Sequence, residues 1–126
     1  MKLLKTFLVA LMFVFVGACN DDLTSDANAS VRNEISNKYI YFFYQTTCPH
    51  CHHASSYIRQ KYPRLKMVNV DVKDTSGYNL FLKCAQKFHL SQSTLGTPLI
   101  CMGDHYIMGW SDVDAKRFDA YVQPFK

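Results

Sequence analysis

Cys48-Pro49-His50-Cys51 is the stretch whose residue types and spacing can do chemistry. Two thiols three residues apart fall on one side of a helix's first turn, where they can bridge without much backbone movement. The reacting species is the thiolate, so the exchange needs something that stabilises an anion. A helix starting at this point supplies it, through its unpaired N–H groups and its dipole. Pro49 suits that first turn, where a missing N–H is tolerated. Cys48, just ahead of the helix and more exposed, is then the attacking sulfur with a depressed pKa. Cys51, one turn in and more buried, resolves the mixed disulfide that Cys48 makes. His50, as an imidazolium or a hydrogen-bond donor, stabilises the Cys48 thiolate further and tilts the pair toward disulfide donation. The redox group is the cysteine pair itself, and the exchange needs no metal or nucleotide.

Other chemistries use the same residues. Cys48-Pro-His-Cys-His52 also satisfies the attachment pattern of c-type haem, with His52 as one axial ligand and Met102 or Met108 as the other. Cys48, Cys51, His50, His52 and His53 form a dense set of metal-type ligands. Successive residues at a helix start point different ways, however, which is poor for a closed four-ligand site. His52 and His53 read first as surface helix residues. Cys84 and Cys101 read as small buried hydrophobes, with a disulfide between them, or a resolving role for Cys84, as alternatives.

The elements that must position the pair follow from the pattern around it. Lys38 to Tyr44 is an aromatic, nearly continuous apolar strand, covered on both faces. Gln45-Thr46-Thr47 breaks it, and the helix runs on from His50 to Lys61. Leu65 to Val72 is a second strand, with Val68, Val70 and Val72 on one face and Met67 out of phase. Ser76 to Phe88 is a helix with Asp74 or Thr75 as its cap, and Leu80, Phe81, Cys84 and Lys87 or Phe88 near one stripe. Ser91 to Gly96 is loop. Pro98 to Met102 and Tyr106 to Met108 form a hairpin through Gly103-Asp104. Ser111 to Val122 is the last helix, with Ser111 and Asp114 bracketing its first turn and Phe118, Tyr121 and Val122 on its apolar face. Trp110 is either a platform on the substrate side or a packed cap over this helix. The order is β-α-β-α-β-β-α: an α/β class chain with one central sheet flanked by helices.

The 126 residues suffice for one such domain. Lysine and arginine number 14 against 10 acidic residues, a net charge of +4. Lys2 and Lys5 precede an apolar run, Leu8 to Val16, that ends in Val16-Gly17-Ala18-Cys19. The pattern is that of a bacterial lipoprotein signal: residues 1–18 removed, Cys19 lipidated as the new N-terminus. An ordinary secretory signal or an uncleaved anchor is the alternative, although the run is short for a full span. Without Lys2 and Lys5 the charge excess halves. The remaining basic residues are scattered, so nucleic acid is not an expected partner. Residues 19–33 are polar and read as a flexible tether, leaving 34–126 as the folded domain. The expected location is outside the cytoplasm, lipid-anchored to a membrane and facing the periplasm or cell exterior, where disulfides can form.

Four features in order then carry a resemblance: the aromatic strand, Cys48-Pro49-His50-Cys51 opening a helix, Gly96-Thr97-Pro98 before a strand, and Gly109-Trp110-Ser111-Asp112 before the last helix. Over roughly residues 38–122 the chain resembles the thioredoxin superfamily, its glutaredoxin-like branch in particular. The resemblance implies a thioredoxin-like fold and thiol–disulfide oxidoreductase activity. It also implies a cis bond between Thr97 and Pro98, packed beside the cysteines, with Thr97 backbone groups left to pair with a substrate. Pro49, Thr97, Pro98, Gly109, Ser111 and Asp112 become the substrate-binding residues, and the last three would hold the γ-glutamyl end of glutathione, a candidate co-substrate. Met108-Gly109 stands where glutaredoxins usually have two glycines. Pro49-His50 is similar to the periplasmic dithiol oxidases, but the chain has no room for their helical insertion. Phe42 and Thr47 replace the Asp and Trp usual in thioredoxins. The implied partners are exported proteins bearing thiols or disulfides, a membrane redox partner, and glutathione as an option, met by a monomer.

Overall fold

The computed structural model describes residues 34–126. The residues read as a lipoprotein signal, Cys19 and the whole tether, 19–33, lie outside the described residues.

The chain runs β1 (Ile40–Tyr44), α1 (Pro49–Lys61), β2 (Met67–Asp71), α2 (Thr75–Lys87), β3 (Leu99–Met102), β4 (His105–Met108) and α3 (Asp112–Tyr121). A 3-10 turn at Gln92–Thr94 precedes β3, and another at Gln123–Phe125 ends the chain. The sheet order is β2-β1-β3-β4. β1 pairs parallel to β2 and antiparallel to β3, and β4 closes an antiparallel hairpin on β3. This is the topology of the thioredoxin-like fold. The parallel pair needs α1 as its crossover, because parallel strands cannot be joined by a tight turn.

β1 lies inside the sheet with helices over both faces, which is why its sequence is apolar without alternation. Ile40 and Phe42 face one core with Ile100, Met102 and Ile107, closed by Ala54 and Ile58 of α1, Phe118 of α3 and Val122 just beyond it. Tyr41 and Phe43 face the other with Val70, Leu99 and Cys101, closed by Leu80, Phe81 and Cys84 of α2. Burying a side chain such as Phe43 contributes about 2–3 kcal/mol. The Tyr41 hydroxyl keeps partners, accepting from the Ser36 N–H at 3.1 Å and donating to the Glu34 carbonyl at 3.3 Å.

Several boundaries differ from the sequence expectation by one or two residues, as frayed element ends do. Val68 does not share the burial of Val70 and Val72: it is exposed, near the start of a strand with no described neighbour on its outer side. Asp74 occupies the N-cap of α2, but its side chain makes no capping bond. The α2 terminus lacks a glycine. His89 takes the left-handed conformation instead (φ 55°), and the N–H groups of His89 and Leu90 bond to the carbonyls of Gln86 and Ala85. Gly77 is a true steric requirement, since a Cβ there would collide with the carbonyl oxygen of Asp71.

Cys84 and Cys101, read first as separate buried thiols, are joined as a disulfide, with Cα atoms 6.5 Å apart. Two hydrophobic cysteines on facing elements of one core meet because α2 packs directly on the β1/β3 face. The last helix has the expected cap: the Ser111 hydroxyl donates to the Asp114 carboxylate at 2.8 Å and accepts the Asp114 N–H at 3.4 Å. Among the described residues no helix is long and apolar enough to cross a membrane.

Candidate functional site: the Cys48–Cys51 pair

β1 ends at Tyr44 and delivers the chain into Gln45-Thr46-Thr47, past the C-terminal end of an interior strand. The Cys48 N–H returns to the Gln45 carbonyl at 3.2 Å, which sets the turn into α1. Cys48 is the N-cap of α1, in extended conformation, with Pro49 as the first helical residue. Its sulfur takes the role that a serine or aspartate oxygen usually fills, accepting the Cys51 N–H at 3.1 Å. The donor that would stabilise a Cys48 thiolate is thus already aimed at the sulfur.

Cys48 and Cys51 are bonded to each other, with Cα atoms 5.2 Å apart, inside the usual range for a bridge. Cys51 is 3% exposed and packs in the α1/α3 core, while Cys48 is only partly buried at its edge. Of the two sulfur-bearing residues, Cys48 is the more accessible from outside. The asymmetry follows from helix position, one residue outside the first turn and the other within it.

Opposite the pair lies the start of β3. The Thr97–Pro98 peptide bond is cis, and Pro98 is fully buried. The Thr97 carbonyl oxygen sits 3.6 Å from Cys48 Sγ. A disulfide sulfur carries no proton, so this is a contact; a reduced Cys48 thiol could donate across it. Among the described residues the Thr97 N–H has no hydrogen-bond acceptor. Gly109, at φ 85°, donates its N–H to the Pro98 carbonyl at 2.8 Å and so ties the segment before α3 to the proline edge. That conformation favours glycine. Ser111 and Asp112 are exposed at the start of α3. Trp110 packs as a cap, tilted 5.6 Å from the Tyr57 ring and edge-on to Phe118 at 6.2 Å.

The histidines separate in role. His50 is exposed, its ring 6.4 Å from that of His53 and perpendicular to it. Its side chain makes no hydrogen bond among the described residues. His52, read as an ordinary surface residue, is placed with a ring nitrogen 2.8 Å from the Thr46 carbonyl oxygen and so braces the loop that carries Cys48. The spacing of six residues across a loop and a helix start gave no pattern by which to find it. Among the described residues, no three or more His, Cys, Asp or Glu side chains come together in a metal-binding group. What the geometry does bring together is the cysteine pair, joined as a disulfide at the start of α1.

Sequence reasoning also missed the clamp behind the site. Asp119 on α3 accepts the Tyr57 hydroxyl at 2.8 Å, the Tyr62 hydroxyl at 2.6 Å and the Lys61 ammonium at 2.7 Å. All three donors lie at the far end of α1 or just past it. Burial raises the Asp119 pKa, but the hydrogen bonds from Lys61, Tyr62 and Tyr57 outweigh it, and the net shift is downward. Burial first, and the Asp119 hydrogen bond second, push Tyr62 up to about 12.

No family model and no curated protein matches the chain. Solved structures do. A glutaredoxin from Archaeoglobus fulgidus superposes with a TM-score of 0.52 at 11% identity, over 68% of this chain and 87% of that one. A buckwheat glutaredoxin in complex with glutathione gives a TM-score of 0.52 at 15% identity, over 83% of this chain and 91% of its own. At these identities the likeness establishes the fold. The chain has a thioredoxin/glutaredoxin-like fold with a Cys-x-x-Cys disulfide, an arrangement suited to thiol–disulfide redox chemistry.

Proposed function

We propose that the protein is a thiol–disulfide oxidoreductase acting on exported proteins or small thiols, with Cys48 attacking and Cys51 resolving. One observation carries the reading: Cys48 caps α1 at the edge of the core, its sulfur held by the Cys51 N–H at 3.1 Å and facing Thr97 at 3.6 Å. In the oxidising direction a partner thiolate attacks Cys48, the Cys48–Cys51 bond breaks, and Cys51 leaves as a thiolate. A second partner thiolate then displaces Cys48, and the partner is left with a disulfide. In the reducing direction the Cys48 thiolate attacks the partner disulfide, and Cys51 closes on Cys48 to release the reduced partner. An extended substrate backbone has the open Thr97 N–H to pair with. Helix position, and not a cofactor, supplies the stabilised leaving group.

The N-terminal pattern supports an exported enzyme, lipid-anchored through Cys19 and tethered by residues 19–33. Metabolic labelling with palmitate checks this directly. Label on the chain that disappears in Cys19→Ala is expected, and label that persists contradicts it.

A second reading adds glutathione as co-substrate. It is supported by the likeness to the buckwheat glutaredoxin–glutathione complex and by the Gly109–Pro98 hydrogen bond, which holds the 109–112 segment at the proline edge. Loss of glutathione-coupled activity in Asp112→Ala, with exchange on a protein disulfide retained, separates it from the first reading.

The test is equilibration of the chain in glutathione buffers, with free thiols counted by alkylation and mass. Cys48–Cys51 should titrate as one two-electron couple. A midpoint near about −120 mV makes it an oxidant, and one between about −200 and −270 mV a reductase or shuttle. A pair that never yields thiols is a structural bridge, and the reading fails.

A further inference from the structure

On the flank away from Pro98, the catalytic helix does not cover the sheet completely. α1 packs over β1 and leaves the face of the outer strand β2 open, forming a cleft of about 620 Å³. That size is within the range of small-molecule sites, about 300–1,000 Å³. Its floor is set by register: Phe42 lies beside Asn69, so Phe42, Tyr44, Met67 and Asn69 share one face of the β1/β2 pair. Its wall is the α1 stripe Cys51, Ser55, Arg59, spaced four residues apart. At 1.5 Å per residue the cleft follows α1 for about 12 Å, from the resolving cysteine to Arg59.

Charge is distributed to one sign. Arg59 and Lys66 line the cleft, and among the described residues no acidic one lines it. Neither cation has a carboxylate partner among the described residues. The nearest candidate by register is Asp71, opposite Tyr44, and it turns its carboxylate to the Lys73 N–H at 2.9 Å. The His52 ring is engaged by Thr46. Two cations beside an aromatic and thioether floor favour a ligand with a negative head and an apolar body.

We propose that this cleft binds an anionic amphiphile, a carboxylate carried on an apolar chain, with its head at Arg59 and Lys66 and its body along Phe42 and Met67 toward Cys51. The cleft adjoins the cysteine pair through Cys51 but opens on the opposite flank from Thr97, and its binding does not depend on the exchange reading. Octanoate is the probe, titrated into the full chain labelled for backbone amide NMR. Acetate supplies the head without the tail, and octylammonium the tail with the opposite charge. Saturable shifts at Arg59, Lys66 and Asn69 are expected with octanoate, at an affinity about tenfold or more above either control. Charge reversal in Arg59→Glu with Lys66→Glu should weaken octanoate about tenfold, and the isosteric Asn69→Asp should weaken it too. Lys116→Glu, on α3, should leave it unchanged. Equal binding of octylammonium, shifts centred elsewhere, no saturation, or indifference to charge reversal and to Asn69→Asp would each overturn the proposal.

Discussion

A cysteine at a helix N-cap is a sulfur placed where the backbone wants an anion. Here the Cys51 N–H points at Cys48 Sγ, and the proline that follows removes a donor the first turn cannot use. Both facts were legible, because a Cys-Pro-x-Cys run after an apolar strand specifies them locally. The part played by His52 was not, since its bond to the Thr46 carbonyl depends on how the loop folds back. His50 is exposed and makes no side-chain hydrogen bond among the described residues in the disulfide state, which leaves its ring available to a Cys48 thiolate once the bridge opens. Replacing His50 by Ala should therefore make the pair a weaker oxidant, moving its potential about 30 mV or more toward negative values, roughly tenfold in the exchange constant. Glutathione-buffer titration of both chains reads the difference. An unchanged midpoint would reduce His50 to an ordinary surface residue.

At the scale of elements, what fixes α1 is a carboxylate on another helix. Asp119 gathers Tyr57, Lys61 and Tyr62 across 57 to 62 residues of sequence. No local pattern announces such a contact: Asp119 reads as one more polar residue on the outer side of α3. The sign of its pH dependence follows from its lowered pKa. A carboxylate held more acidic in the folded state than in the unfolded one stabilises the fold at pH above its unfolded value. That contribution is lost as pH falls through the folded value. Asp119→Asn should therefore be less stable than the parent near neutral pH, by about 1–2 kcal/mol for weakened charge-assisted bonds. The gap should close as both are acidified below about pH 4. Denaturant midpoints at a series of pH values test this, and a gap that stays constant down to pH 2 contradicts it. The strands and helices themselves were legible to within one or two residues. Val68 departed because alternation predicts a face and not whether that face is covered at a sheet edge.

Taken together, residues 34–126 form a sheet with a separate core on each side, and the two cysteine pairs divide between them. Cys51 belongs to the α1/α3 core, and Cys84 and Cys101 to the α2 core. Their pairing could not be read from sequence, where a buried thiol and a buried half-disulfide share the same apolar surroundings. Once α2 is packed on β3 the proximity is unavoidable. A bridge across 17 residues restricts the unfolded chain, so Cys84→Ala with Cys101→Ala should lose about 3 kcal/mol of stability. Urea unfolding of the doubly substituted chain measures it. Undiminished stability would mean that the two sulfurs serve only as packing. The fold class was legible because each level agreed: an apolar central strand, helices between the parallel strands, then a glycine-turned hairpin. The α1/β2 cleft was not, because it is defined by what α1 fails to cover.

The claim on which the account rests is that Cys48, and not Cys51, meets the partner. Incubating the reduced Cys51→Ala chain with a disulfide-bonded peptide, then mapping the product by mass, tests it in one step. The account predicts a stable mixed disulfide at Cys48 and none in Cys48→Ala. An adduct that forms on Cys51 in Cys48→Ala at the same rate as on Cys48 in Cys51→Ala would contradict it.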